Sequence, residues 1–206
     1  MTERHIVALS AGLGQPSSTR LLADRLAEAT ATELADRGQR PEVRVVELRD
    51  HAHDIVNAML TGVPSPTLAD VIEAVTGADA VIAVTPLFTT TYSGLFKSFV
   101  DILDKDSLTG MPVLLGATGG TARHSLAIEY SMRPLFTYLR ADVATTSVFA
   151  ATDDWATGAT AGEPSPLPAR IRRAGAELAT TVAARGPRGP QDPFADAPSF
   201  ADLLGG

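Results

Sequence analysis

Short unbroken apolar runs alternate along this chain with longer stretches in which apolar residues return every third or fourth position. The segments at 6–9, 43–48, 80–84, 112–115 and 143–149 read as strands, and those at 6–9, 80–84 and 112–115 are apolar throughout, as strands buried on both faces are, because a strand with one wet face would alternate polar and apolar residues. The longer stretches predict helices over 19–37, 68–75, 94–103, roughly 125–139 and 167–184. In the last of these Leu167, Ile171, Ala174, Leu178 and Val182 fall on one stripe, and Leu95, Phe96, Phe99, Val100 and Leu103 do so in the third.

Strands that each lead into a helix predict an α/β domain: a three-layer, doubly wound, parallel five-stranded sheet of flavodoxin-like order 2-1-3-4-5. Its ligand crevice opens at the carboxyl ends of strands one and three. The expected domain covers 1–185. Pro134 interrupts the fourth helical pattern, where it lacks an amide proton and its ring would press on the Tyr130 carbonyl, so a kink or a broken turn is expected there. From Gly186 the text turns rich in proline and glycine, which ends helix formation. Residues 186–206, with Phe194, Phe200, Leu203 and Leu204, read either as a loose tail or as an arm docked on the domain or on a neighbouring subunit.

Composition narrows the function. A chain of 206 residues with 45% hydrophobic and 20% charged side chains suits one folded domain. A net charge of -7 disfavours nucleic acid and anionic membrane as partners, since both attract basic surfaces, and leaves a small soluble ligand as the better fit. The absence of cysteine removes disulfides, thiol nucleophiles and iron–sulfur ligation, so any redox chemistry has to come from an organic cofactor. The opening residues enter a strand without the layout of a signal peptide, and a cytoplasmic location is expected.

Three strand ends carry the candidate chemistry. After the first strand come Ser10, Ala11, Gly12, Leu13, Gly14, Gln15, Pro16, Ser17, Ser18 and Thr19, with a helix starting at once. Free N–H groups, hydroxyls and the positive end of a helix dipole together make a phosphate cradle. A plain helix cap is the alternative, but a cap needs one hydroxyl, and here two glycines and three consecutive hydroxyls stand together. The third glycine of a dinucleotide fingerprint is missing, and no Gly-Lys-Ser or Gly-Lys-Thr is present. After the third strand run Pro86, Leu87, Phe88 and Thr89, and after the fourth Thr118, Gly119, Gly120 and Thr121. Glycines there let backbone approach a flat ring closely. In the predicted sheet these turns lie side by side, which points to a phosphorylated aromatic cofactor.

Other candidates are weaker. His51 and His53, flanked by Asp50 and Asp54, would bind zinc only if they shared a strand face, and no metal site is expected. Asp101, Asp104 and Asp106 read as a solvated helix end, and Trp155 as a packing anchor or a cover over a ligand.

The run Ala117-Thr118-Gly119-Gly120-Thr121, then His124, Leu126-Ala127-Ile128-Glu129-Tyr130 and Arg133-Pro134-Leu135, with Tyr92-Ser93-Gly94-Leu95 and Lys97 ahead of it, resembles the NAD(P)H-dependent FMN reductase family over residues 6–146. Within it the chain is most similar to reductases that serve two-component monooxygenases, the alkanesulfonate type among them. The resemblance implies hydride transfer from NADPH or NADH to FMN. It implies that Ser10, Ser17 and Thr19 hold the FMN phosphate beside Ser18, that Pro86 to Thr89 line one side of the ring, and that Thr118 to Thr121 hold its pyrimidine edge. It also implies a homodimer or homotetramer and a flavin-dependent monooxygenase as partner. Where many members have serine and arginine in the first loop this chain has Gly12 and Gly14, and where they have tyrosine and asparagine after the third strand it has Phe88 and Thr89. Phosphate binding therefore leans on amides and hydroxyls, which suits an enzyme that releases its flavin. Hydride transfer asks little acid–base help of the protein, and only His124 is a candidate for contact with either substrate; a surface or capping role is its alternative. An FMN-containing quinone or azo reductase and a flavodoxin-like electron carrier on the same fold remain the rival readings.

Overall fold

The computed structural model describes residues 2–156 and 167–187; the apolar arm read at Phe194 to Leu204 lies outside them. In chain order the elements begin with β1 (Glu3–Ser10), α1 (Ser18–Asp36) and β2 (Arg40–Glu47), followed by a 3-10 turn (Leu48–His51), α2 (Ala52–Thr61) and α3 (Pro66–Thr76). A hairpin of β3 (Ala80–Phe88) and β4 (Thr91–Tyr92) leads to α4 (Gly94–Asp101) and β5 (Pro112–Gly119). Then come α5 (Arg133–Tyr138), β6 (Asp142–Val143), β7 (Val148–Ala151), α6 (Thr152–Ala156) and α7 (Leu167–Ala183). Serines start three of the helices: Ser17, Ser65 and Ser93 accept from the N–H groups of Arg20, Leu68 and Phe96, each satisfying a donor that the first turn leaves open.

The sheet runs β2-β1-β3-β5-β6 with parallel pairing along that path, and β7 continues beside β5. This is the doubly wound order 2-1-3-4-5, with β6 and β7 as two halves of the fifth strand. The single strand expected over 143–149 is thus interrupted. Side chains satisfy its backbone instead of a neighbouring strand: Glu177 accepts from Thr145 N at 2.6 Å and Thr146 N at 3.1 Å, and Arg133 donates to the carbonyls of Ala144 and Thr145. Backbone groups need partners, and these charged side chains supply strong ones.

The stretch 125–139 is not one helix either. A 3-10 turn (Ala122–His124) and a π-helical turn (Ile128–Met132) precede α5, and Pro134 sits in the first turn of α5. A proline there forfeits no helical hydrogen bond. Helix α2 was not apparent from spacing, because only Ile55 and Ala58 of its residues are buried and a short run with two core contacts hardly registers as a stripe.

Alternation along the strands builds two cores. Val7, Leu9, Val81, Ala83, Val113 and Leu115 face α2 to α5 on one side. Ile6, Ala8, Ile82, Val84 and Leu114 face α1 and α7 on the other. Helices α1 and α7 touch so closely at Gly175 that a Cβ there would lie 2.9 Å from backbone atoms of Ala29 and Thr30; only glycine fits without separating them. At the amino end of the sheet Arg4 and Asp79, each 3% exposed, form an ion pair at 3.2 Å. Arg4 also donates to Gln39 Oε1 and to the Arg185 carbonyl, and Asp79 accepts from His5 N.

Candidate functional site

Parallel pairing brings three turns together at the carboxyl ends of β1, β3 and β5, because Ser10 is level with Val84 and Pro86 with Thr118. The first turn leaves the sheet as Ala11 N donates to the Val84 carbonyl at 2.9 Å. Gly12 follows, and a Cβ on it would lie 2.1 Å from Ser17 Oγ. The glycine is therefore a fitting requirement: its missing side chain is the space into which the capping hydroxyl of α1 folds. Thr19 Oγ1 and Thr118 Oγ1 are 2.8 Å apart and both nearly fully buried, so the first turn of α1 is tied to the end of β5.

The second turn is a hairpin, where the sequence suggested only a loop. Leu87 pairs with Tyr92 and Phe88 with Thr91, leaving Thr89 and Thr90 as a two-residue connection with φ of 49° and 77°. Such loops need positive φ at both positions to match strand twist, and β-branched residues adopt it only under strain. Tyr92, Phe96 and Phe136 support the hairpin as a ladder of tilted rings. It holds Phe88, 46% exposed, at the lip of the crevice. In the third turn a Cβ on Gly119 would lie 2.9 Å from Phe149 Cζ, whereas Gly120 faces open space.

Between these turns lies a cavity of about 300 Å³. Of the residues singled out from the sequence, Ser17, Ser18, Thr19, Pro86, Leu87, Phe88, Thr118, Gly119 and Gly120 line it, and among the described residues no charged side chain does. Ser10 lies beneath it, fully buried, its hydroxyl without a hydrogen-bond partner. Thr89, Thr121 and His124 are exposed and stand outside the lining. A second hollow of about 650 Å³ adjoins the first, sharing Pro16, Ser17, Ser18 and Gly119 and walled beyond them by Arg20 and Trp155. Trp155 is half-buried against the α1–α7 core, with the Arg25 guanidinium 5.4 Å above its ring; it anchors and borders the hollow at once. The Asp24 hydrogen bond, opposed by desolvation and helped by Glu47, raises the Arg20 guanidinium above its ordinary pKa.

Volume alone would not choose this rim. A hollow of about 520 Å³ lies at the opposite end of the sheet, but Glu3, Glu42, Glu73 and Asp79 outnumber Arg44 and His5 in its wall and it lies at the carboxyl end of α3, a surrounding less suited to an anion. The strand-end crevice has the converse chemistry. An orphaned buried hydroxyl, the start of a helix 19 residues long and a rim of glycine backbone fit a phosphate joined to a flat ring. His51 and His53 lie in the 3-10 turn and in α2, and among the described residues no three ligating side chains gather as a metal site.

Residues 4–156 match the model of the family described as NADPH-dependent FMN reductase. The chain belongs to the NADPH-dependent FMN reductase family. It is an NAD(P)H:FMN oxidoreductase, with FMN and reduced nicotinamide as its small-molecule ligands. An FMN reductase (NADPH) of Pseudomonas aeruginosa is 33% identical over 87% of this chain and 93% of its own. The NADH-dependent FMN reductase SfnF of Pseudomonas fluorescens is 35% identical over 82% and 87%. Among solved structures, an oxidoreductase from Corynebacterium diphtheriae superposes with a TM-score of 0.83 at 41% identity, covering 90% of this chain and 99% of that one. In this reductase, sequence reading missed the hairpin that presents Phe88, the Thr19–Thr118 contact and the neighbouring hollow. Each joins residues far apart in the chain, and no local pattern announces them.

Proposed function

We propose that this enzyme takes up FMN as a substrate, reduces it with NADPH or NADH, and releases it to a flavin-dependent monooxygenase. One observation carries the reading: among the described residues the cavity offers a phosphate only amides, hydroxyls and a helix dipole, with no charged side chain in the lining. Such a cradle gives orientation without the strong ion pairs that would retain a dianion. Relatives named for NADPH and for NADH both occur, which supports either donor.

FMN bound there supplies the hydride-accepting ring. The chain's part is placement. The first turn of α1 with Ser17 and Ser18 would hold the phosphate, and Ser10 and Thr19 would support that turn from below. Leu87 and Phe88 would cover one side of the ring and keep water from it. The Gly119 and Gly120 amides would face its polar edge, where N–H dipoles stabilise negative charge as it develops. The two connected hollows leave room for a second planar substrate, whose alignment over the first is the main source of rate.

Nicotinamide oxidation by the purified protein tests this. Free FMN should accelerate it through many turnovers per enzyme molecule, and quinones should not substitute. Turnover with quinone alone, or none with either donor, overturns the reading. We further propose a homodimer or homotetramer, supported by Leu126, Tyr130 and Tyr138, which stand 60%, 78% and 75% exposed on and beside the π-helical turn and α5. Sedimentation velocity should find one of these species; a monomer across the micromolar range refutes it.

A further inference from the structure

We propose that Arg49, which does not line the cavity, is the residue that positions the phosphate loop and gives the enzyme its preference for phosphorylated over unphosphorylated flavin. The inference rests on the reading that FMN occupies the strand-end crevice. The loop itself carries no basic side chain between Ser10 and Thr19, so any cation that shapes it has to come from elsewhere in the fold. Strand β2 lies beside β1 in register, Leu9 against Val46 and Ser10 against Glu47. The 3-10 turn that follows β2 therefore emerges next to the loop that follows β1. From that turn Arg49 Nη1 donates to the Gly14 carbonyl at 3.3 Å. Turned so that its oxygen faces the guanidinium, the Gln15 amide would accept from Nη1 at 3.2 Å and also from Nη2.

The other side of the guanidinium is held by charge. Glu47 Oε2 lies 3.3 Å and Asp50 Oδ1 3.4 Å from Nε, yet Nε is buried and makes no well-formed hydrogen bond. Glu47 also reaches Arg20 at 2.7 Å, and Arg20 reaches Asp24 at 2.8 Å. Two arginines are thus paired with three carboxylates beside the crevice.

Two consequences follow for an anion in the loop. A trans peptide points its carbonyl and the next N–H in opposite directions. Anchoring the Gly14 oxygen on Arg49 therefore turns the Gln15 N–H away from Arg49, so that a donor rather than an acceptor is left for the phosphate. Arg49 also neutralises Glu47 and Asp50, whose uncompensated charge would repel a dianion at this range. Both effects act on the phosphate and neither on the ring.

The test compares FMN with riboflavin, which has the ring without the phosphate. In Arg49→Ala the Kd and KM for FMN should rise about tenfold, the scale of one charge-assisted hydrogen bond, while those for riboflavin move by less than about twofold. Gln15→Ala, which removes one acceptor on the loop side, should shift the FMN-to-riboflavin ratio in the same direction by a smaller factor. Arg49→Lys, which keeps the charge and loses the fork, should restore only part of the ratio. An unchanged ratio in whichever of these variants folds, or an equal loss for both flavins, overturns the proposal, as does full rescue by lysine. Failure of the functional reading looks different: the unmodified protein would then turn over neither flavin.

Discussion

Replacing Ser17 and Thr19 together with alanine is expected to raise the FMN dissociation constant about a hundredfold, from two losses of 1–2 kcal/mol each. Ser17 lines the crevice and caps α1 through Arg20 N at 3.2 Å, so on the proposed reading its hydroxyl would both meet the anion and hold the helix start that faces it. Thr19 acts through Thr118: without it the Thr118 hydroxyl keeps its burial and loses its 2.8 Å partner. The end of β5, which carries Gly119 and Gly120, then loosens from α1. A lost cap costs about 1 kcal/mol and a buried hydroxyl without a partner about 1–3 kcal/mol, so the melting temperature should fall while the fold survives. Fluorescence quenching of free flavin measures the affinity, and circular dichroism shows whether the variant is folded. An unchanged dissociation constant in a folded double variant would refute the phosphate role of this turn.

The second large effect is on stability and lies at the other end of the sheet. Asp79→Ala is expected to destabilise the protein by about 3–5 kcal/mol, the usual result of removing one partner from a buried ion pair. Arg4 keeps Gln39 at 3.0 Å and the Arg185 carbonyl at 2.6 Å, but both are neutral, and its charge stays buried. The His5 amide loses its acceptor as well. Single domains have about 5–15 kcal/mol in all, so the loss is a large fraction of the total. Urea denaturation measures it; a change under about 1 kcal/mol would mean that the pair is dispensable. Since β1 runs from this pair to the crevice at its far end, the folded fraction of Asp79→Ala should bind FMN with the affinity of the parent. The two variants thus separate loss of fold from loss of site.

Period and punctuation made the sheet order and most helices legible. Central parallel strands buried on both faces have to be apolar throughout, and Ser17, read as a possible helix cap, does cap α1. The same holds for the crevice's location, since glycines and hydroxyls gather after the apolar runs 6–9 and 112–115 and the fold places those ends together. What misled was any segment whose hydrogen bonds go to distant side chains. The fifth strand breaks where Glu177 and Arg133 take over its backbone groups, and neither residue is near it in sequence.

The amino-acid sequence by itself determined the α/β class, the strand order, the three turns at one rim and the kind of ligand they suit, because each follows from spacing and from the chemistry of neighbouring residues. Only the tertiary structure decided that Gly12 makes room for the Ser17 hydroxyl, that Thr19 meets Thr118 across the crevice, and that Arg49 braces the loop from behind. Those contacts depend on the register between strands and on directions of side chains many residues apart, quantities that packing fixes and that local sequence leaves open.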